Sequence, residues 1–166
     1  MRFDYYKKFV GLLVIGGGLA GALCFFIVTM LTFYEVVARY VLKSPTTWSL
    51  DCSIYLVMWG TLLGAAYTLK WHGHVGVEVL VAKFSKMRQR QLKIIVYTLM
   101  LLFCIILAWT GMDSCIDAYR FHEVTLSYIR TPLYIPMFSI VAGSVLLILE
   151  IVSQLIEMIQ RAGAEE

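Results

Sequence analysis

The side chains of this sequence that are suited to chemistry are few and scattered. His72 and His74 provide too few ligands for a metal site, so a structural or interfacial role is favoured. The four cysteines contain no Cys-x-x-Cys pair and are expected to be small packing residues, with a bond between Cys52 and Cys115 as an open alternative. The sequence also lacks a phosphate-binding glycine loop, a nucleophile motif and a catalytic carboxylate pair. It therefore predicts no enzyme activity, no cofactor and no bound metal.

Acidic side chains within a membrane are costly and are candidates for function, so the position of each acid matters. Glu35 and Arg39 lie one helical turn apart and can pair, whereas Asp51 begins an apolar stretch. Glu150 lies deepest, about two turns inside such a stretch. We favour a bond from Glu150 to a neighbouring helix or to lipid headgroups, and keep an ion or proton site as the alternative.

Four long apolar stretches must position these side chains. Between Lys8 and Glu35 there are 26 consecutive residues without a charge, and three similar runs follow. Hydrophobic residues make up 60% of the chain and charged residues 15%, with a mean hydropathy of +0.79. Each run is about long enough to cross a hydrocarbon layer. We predict an all-α integral membrane protein of one domain, residues 1–166, with four transmembrane helices at about 10–34, 52–70, 94–117 and 133–158.

The basic side chains are divided unequally between the two sides of this domain. If the N-terminus is cytoplasmic, ten of the 14 Lys and Arg residues lie in cytoplasmic segments. This asymmetry follows the positive-inside rule, so we place both termini in the cytoplasm and assign the basic segments to the membrane surface rather than to nucleic acid. The first apolar run exceeds the roughly 7–15 residues of a signal-peptide core, so we expect it to remain as a span. The basic residues of the opposite side are Arg39, Lys43, Arg120 and Arg130.

Two of the predicted spans carry glycines one helical turn apart. Gly17 and Gly21 lie in the first span, and Gly60 and Gly64 in the second. Such pairs expose a strip of backbone, and helices in lipid associate through such close contacts. We predict that these glycines form a helix-packing surface, within the chain or against a partner. The alternative is that glycine is simply frequent in membrane helices.

The segment between the second and third spans has the pattern of an amphipathic helix at about residues 76–92. An apolar stripe opposite a basic face is typical of a helix that lies in the headgroup plane on the cytoplasmic side. The alternative is an ordinary helical hairpin packed on the bundle. The proposed anchor residues are the apolar Val77, Leu80, Val81 and Phe84 and the basic Lys83, Lys86, Arg88 and Arg90.

An ordered set of short motifs at residues 39–78 resembles a known family. The positions that carry the resemblance most clearly are Arg39, Trp48, Asp51, Gly64, His74 and Glu78. In full, the motifs are Arg39-Tyr40-Val41, Thr47-Trp48-Ser49-Leu50-Asp51, Trp59, Leu63-Gly64-Ala65-Ala66 and Gly73-His74-Val75-Gly76-Val77-Glu78. This set is similar to the small membrane subunit, DctQ type, of tripartite ATP-independent periplasmic (TRAP) transporters. The family usually has Glu at the position of Asp51 and Asp near Glu78, and both differences keep the charge.

The resemblance implies a bacterial inner-membrane protein that works with a large permease subunit and a periplasmic substrate-binding protein. In this family the large subunit contains the substrate and sodium sites, and the small subunit supports it within the lipid bilayer. The expected function is sodium-coupled uptake of an organic acid without ATP. We expect Arg39, Lys43, Arg120 and Arg130 to help dock the binding protein. The alternative is a self-contained, homo-oligomeric small transporter that uses Glu150 as its coupling group.

Overall fold

Four helices make up almost all of the described structure. The computed structural model describes residues 2–44, 46–72, 86–125 and 130–163. Within these residues, each of the four helices contains a segment long and apolar enough to cross a membrane, which confirms the predicted fold class. The helices are α1 (Arg2–Tyr40), α2 (Trp48–His72), α3 (Lys86–Arg120) and α4 (Tyr134–Gly163).

The separate surface helix predicted at residues 76–92 is not confirmed. Residues from Lys86 onward form the first turns of α3 and continue into the third span without a break. Arg88 is exposed there, and Lys86 and Arg90 lie in the same turns. The other proposed anchor residues, Val77, Leu80, Val81, Lys83 and Phe84, lie outside the described residues.

The helix ends have identifiable causes. After α1, the amides of Leu42 and Ser44 donate to the carbonyl oxygens of Val37 and Ala38, at 3.2 and 3.0 Å. Lys43 lies between them with a φ of 52°, the left-handed conformation that commonly ends a helix. At the start of α4, Pro136 occupies the first turn, where a backbone N–H has no intrahelical partner to lose.

Helices α1, α2 and α4 form a three-helix core, and α3 packs on the outer side of α4. The hydrophobic segment of α4 is 44% buried, whereas that of α3 is 11% buried. Most of the α3 surface is therefore open to lipid or to another protein. The fully buried side chains include Val10 and Val14 of α1, Ala66 of α2 and Ile151 of α4.

Contacts along the helices give their relative directions. Gly21 faces Gly60 and Gly11 faces Lys70, so α1 and α2 are antiparallel. Gly111 of α3 faces Ile140 of α4. One turn later in α3, the sulfur of Cys115 lies 3.7 Å from the carbonyl oxygen of Tyr134, near the start of α4, so α3 and α4 are antiparallel. The end of α1, the start of α2, the end of α3 and the start of α4 thus lie at one end of the protein, which we call the hairpin end. The opposite end, where α1 begins and α4 finishes, is the terminal end.

Helices α2 and α4 run parallel to each other. Leu62 packs on Gly143, and Leu69 accepts a hydrogen bond from Gln154 further along both helices. A Cβ built on Gly143 would lie 2.6 Å from the Cβ and 2.9 Å from the carbonyl oxygen of Leu62, so α4 has no room for a side chain at this position. Ser139 and Ser144, also small, are buried along the same part of α4.

The glycine pairs of α1 and α2 lie against each other, but the four positions are not equivalent. A Cβ on Gly21 would lie 2.8 Å from the carbonyl oxygen of Gly60 and 3.3 Å from the Cα of Gly64. A Cβ on Gly17 would lie 3.1 Å from Leu146 of α4, at the junction of the three core helices. At Gly64, however, the direction of a Cβ is open for 4 Å. Gly21 therefore has the least room for any side chain.

We expect Gly21→Ala to destabilise the protein, because its methyl group would push the α2 backbone away. Overpacking of this kind costs ~1–3 kcal/mol. Gly16→Ala on the same helix is the matched control, since a Cβ there meets nothing within 4 Å. Thermal unfolding of the purified variants in detergent, followed by tryptophan fluorescence, measures the difference. Equal melting temperatures for the two variants would contradict the packing described here.

Candidate functional sites at the two ends of the helices

A hydrogen-bonded cluster around Glu35 closes the hairpin end of α1 and α2. One carboxylate oxygen of Glu35 accepts from Arg39 at 2.8 Å. The other accepts from the hydroxyls of Ser49, at 2.7 Å, and Thr46. Ser49 is only 1% exposed, so a buried hydroxyl holds the start of α2 against the end of α1. We call these four residues the Glu35 cluster.

A cleft of about 280 Å³ lies beside this cluster, between α1 and α2. Its lining combines the polar Glu35, Arg39 and Ser49 with the apolar Leu31 and Val36. Nearby, the ring of Trp48 packs on that of Tyr34 with centroids 6.1 Å apart. An aromatic pair and an ion pair at the end of a span are typical of the membrane–water interface.

The basic residues predicted for docking lie at the hairpin end, at helix ends and in the connections. Lys43 is exposed just after α1, Arg120 is exposed at the last residue of α3, and Arg130 is exposed before α4. Arg39 is half-exposed and paired with Glu35, so it is less available than the other three.

The predicted motif positions are partly described. Asp51 lies buried in the first turn of α2, where the helix dipole favours a negative charge. Its Oδ2 is buried and, within the described residues, has no hydrogen-bond partner. Trp48 and Gly64 lie in α2 as described above. His74 and Glu78 lie outside the described residues.

A second polar cluster lies at the terminal end and contains Glu150. The carboxylate is 5% exposed and accepts from the side-chain amide of Gln154 at 2.9 Å. The same amide donates to the carbonyl oxygen of Leu69 at 3.3 Å. Leu69 belongs to the last turn of α2, whose carbonyls lack intrahelical partners. Glu150 thus orients Gln154 to cap α2; its own hydrogen bond lies within α4, and Gln154 rather than Glu150 reaches the neighbouring helix.

Further contacts tie α1 to α4 at the same end. Lys7 forms an ion pair of 2.7 Å with Glu157, and the Tyr6 hydroxyl lies 3.4 Å from the carbonyl oxygen of Leu149. Lys7 and Glu157 line a cavity of about 370 Å³ together with Lys70 and Glu150. Its lining residues lie near the terminal end, away from the centre of the spans.

Sequence reasoning missed several of these partners. Gln154 and Glu157 both follow Glu150 on α4, and the four-residue spacing of Glu150 and Gln154 was the available signal. Thr46 and Ser49 had no signal of their own, because their partner Glu35 lies more than ten positions earlier. The disulfide alternative is excluded, since Cys52 and Cys115 are both free. Within the described residues, no three His, Cys, Asp or Glu side chains gather as a metal site would need.

The two polar clusters are far apart. Lys7 and Glu35 are 28 positions apart on one helix, about 42 Å at 1.5 Å per residue. Between Lys8 and Glu35, α1 carries no charge, and its core-facing positions are Val10, Val14, Gly17 and Gly21. The arrangement is a packed helical block with polar ends and an uncharged middle.

Comparison with known proteins assigns a class to this block of four apolar helices. Residues 28–161 match the family described as tripartite ATP-independent periplasmic transporters, DctQ component. The match covers most of the chain, and the chain belongs to this family. It is a transporter component and not an enzyme.

Two relatives have related descriptions. The C4-dicarboxylate TRAP transporter small permease protein DctQ of Vibrio cholerae is 38% identical over 53 residues, which is 32% of this chain and 23% of that protein. A putative TRAP transporter small permease protein of Haemophilus influenzae is 36% identical over 78 residues, 47% of this chain and 48% of that protein. The chain thus matches less than half the length of either relative.

We expect Gln154→Leu to destabilise the protein by ~1–3 kcal/mol, because it leaves the buried Glu150 and the Leu69 carbonyl without their donor. The matched control is Gln160→Leu, an exposed position later in α4. Melting temperatures of the two variants in the same detergent give the comparison. If the melting temperature of Gln154→Leu equals that of the wild type, the Gln154 amide does not stabilise the end of α2.

Proposed function

We propose that this chain is the small permease subunit of a TRAP-type secondary transporter in the bacterial inner membrane. In this role it scaffolds the large permease subunit during sodium-coupled uptake of an organic acid. A periplasmic binding protein delivers that acid. Both termini are cytoplasmic, so the terminal end faces the cytoplasm and the hairpin end faces the periplasm.

The observation that carries the proposal is the uncharged, close-packed middle of the three-helix core. A transporter needs polar groups or space along the path of a charged solute, because an ion in hydrocarbon is strongly disfavoured. Here Gly21 contacts the α2 backbone directly, and Lys8 and Glu35, the charged residues that bound the uncharged run of α1, lie about 40 Å apart. A block of this kind suits mechanical support and offers no route of its own.

The exposed face of α3 supports a role beside a companion membrane protein. Leu99, Phe103, Ile106 and Trp109 are each more than half exposed and recur at helical spacing. Because α3 contacts mainly α4, this face is available along most of the span. We propose that it, or the outer face of α1, meets the large subunit.

The alternative of a self-contained transporter that uses Glu150 is less well supported. Glu150 has a structural partner in Gln154, and the residues that line the cavity beside it all lie near the terminal end. A coupling carboxylate must exchange its proton or ion with both sides of the membrane. The bonded position of Glu150 near one surface accounts for its burial without such a cycle.

Reconstitution in liposomes tests the scaffold role. We expect this chain alone to accumulate no C4-dicarboxylate under an inward sodium gradient, and the chain with its co-purifying large membrane subunit and the periplasmic binding protein to accumulate it. We expect Glu150→Gln to keep at least half of that uptake, because the amide still accepts a bond from Gln154. Saturable uptake by the chain alone, abolished by Glu150→Gln, would instead establish the self-contained transporter.

Charge reversal tests the docking role of the hairpin end. We expect Lys43→Glu with Arg130→Glu to lower uptake several-fold at low salt without lowering membrane levels, because like charges slow the approach of the binding protein. The defect should shrink as salt screens it. Arg88→Glu at the terminal end is the matched control and should leave uptake unchanged. Uptake that is the same in all three proteins would refute docking through these residues.

A further inference from the structure

A groove of about 550 Å³ runs between α1 and α2 at the terminal end. Its lining divides into two parts, a basic mouth and an apolar floor. The lining residues are Lys7, Lys8 and Lys70 at the mouth, and Gly11, Leu12 and Ile15 along the floor. We call it the lysine groove.

Gly11 provides the space that lets the three lysines gather. A Cβ on Gly11 would lie 2.7 Å from the Nζ of Lys70, so the ammonium group of α2 reaches across to the α1 backbone. Lys7 and Lys8 precede Gly11 by four and three residues and therefore lie one turn away on the same face. The three side chains thus meet from two helices.

The mouth of the groove has more lysines than ion pairs among the described residues, although Glu150 and Lys70 line a common cavity. Lys7 pairs with Glu157 at 2.7 Å. Among the described residues, no carboxylate forms an ion pair with Lys8 or Lys70. Two ammonium groups are therefore left for an anion.

The position of the groove across the membrane indicates which kind of anion it binds. Lys8 is the last charged residue before the uncharged run of α1, so the mouth lies at the membrane surface. Leu12 and Ile15 follow one and two turns deeper, within the hydrocarbon layer, and Leu12 is 71% exposed. A phospholipid matches this arrangement, because its charged headgroup lies at the membrane surface and its acyl chains lie deeper in the hydrocarbon layer. Basic pockets between helices at the cytoplasmic surface bind acidic lipids.

We propose that the lysine groove binds an acidic phospholipid. The phosphate of the headgroup lies between Lys8 and Lys70, and one acyl chain follows Leu12 and Ile15. This site is separate from the α3 face proposed to meet a large subunit, and it rests on the proposed function only in placing the terminal end at the cytoplasmic surface. It predicts selection by headgroup charge at one place on the protein.

Native mass spectrometry of the full-length chain in detergent tests this site, with dioleoyl phosphatidylglycerol and dioleoyl phosphatidylcholine as probes. We expect the wild type to retain phosphatidylglycerol preferentially. Lys70→Gln should lower the ratio of retained phosphatidylglycerol to phosphatidylcholine about fivefold, as should Lys8→Gln, whereas Lys70→Arg should preserve it. Arg88→Gln is the matched control, because it removes one exposed charge at the same end of the protein outside the groove.

Three results would overturn the proposal. Equal retention of the two lipids by the wild type would show that the groove does not select an acidic lipid, and that it is empty or holds a protein segment. Equal loss in Arg88→Gln and Lys70→Gln would show diffuse attraction to the whole basic end. A rise in melting temperature with inorganic phosphate as large as that with phosphatidylglycerol would show a site for soluble anions instead.

Discussion

The contact of Gly21 with the α2 backbone at Gly60 and Gly64 is the constraint on which the rest of the structure depends. Burial from lipid gives helices no hydrophobic drive to associate, so they are held by close van der Waals contact and by polar bonds. With no side chain between them, the two backbones approach closely near mid-membrane. Their ends are thereby brought within reach of polar partners, Glu35 with Ser49 on one side and Lys70 with Gly11 on the other.

Helix α4 completes this core by the same means. Gly143 meets the α2 backbone, and the Gln154 amide caps the last turn of α2. Because α4 occupies the remaining side of the α1–α2 pair, α3 packs mainly on α4, and most of its apolar surface stays open. A subunit that packs tightly on one side and exposes an apolar face on the other is suited to hold a neighbour in place.

The distribution of charge follows from the same packing. Close backbone contact in the middle of the core leaves no room for an ionised side chain, so the charged groups collect at the two ends. There some of them form hydrogen-bonded clusters. Four cations, Lys43 and Arg130 at one end and Lys8 and Lys70 at the other, form no ion pair within the described part of the chain and are available to ligands. In this member of the DctQ family, the charged side chains of the helical core thus lie at the two ends of the helices.

The sequence alone predicted the number of spans, their approximate limits and the family. The length of an apolar run and the order of motifs depend only on the order of residues along the chain. The two glycine pairs were also visible there, but nothing in their spacing distinguishes the crowded Gly21 from the open Gly64. That difference depends on the rotation of each helix about its axis, which only packing decides. The partners of Glu150, the continuity of α3 with residues from Lys86 onward and the gathering of Lys70 with Lys8 likewise required the tertiary structure. The capping of α2 by Gln154 and the gathering of Lys70 with Lys8 join groups that the sequence separates by tens of residues, with 85 positions between Gln154 and Leu69.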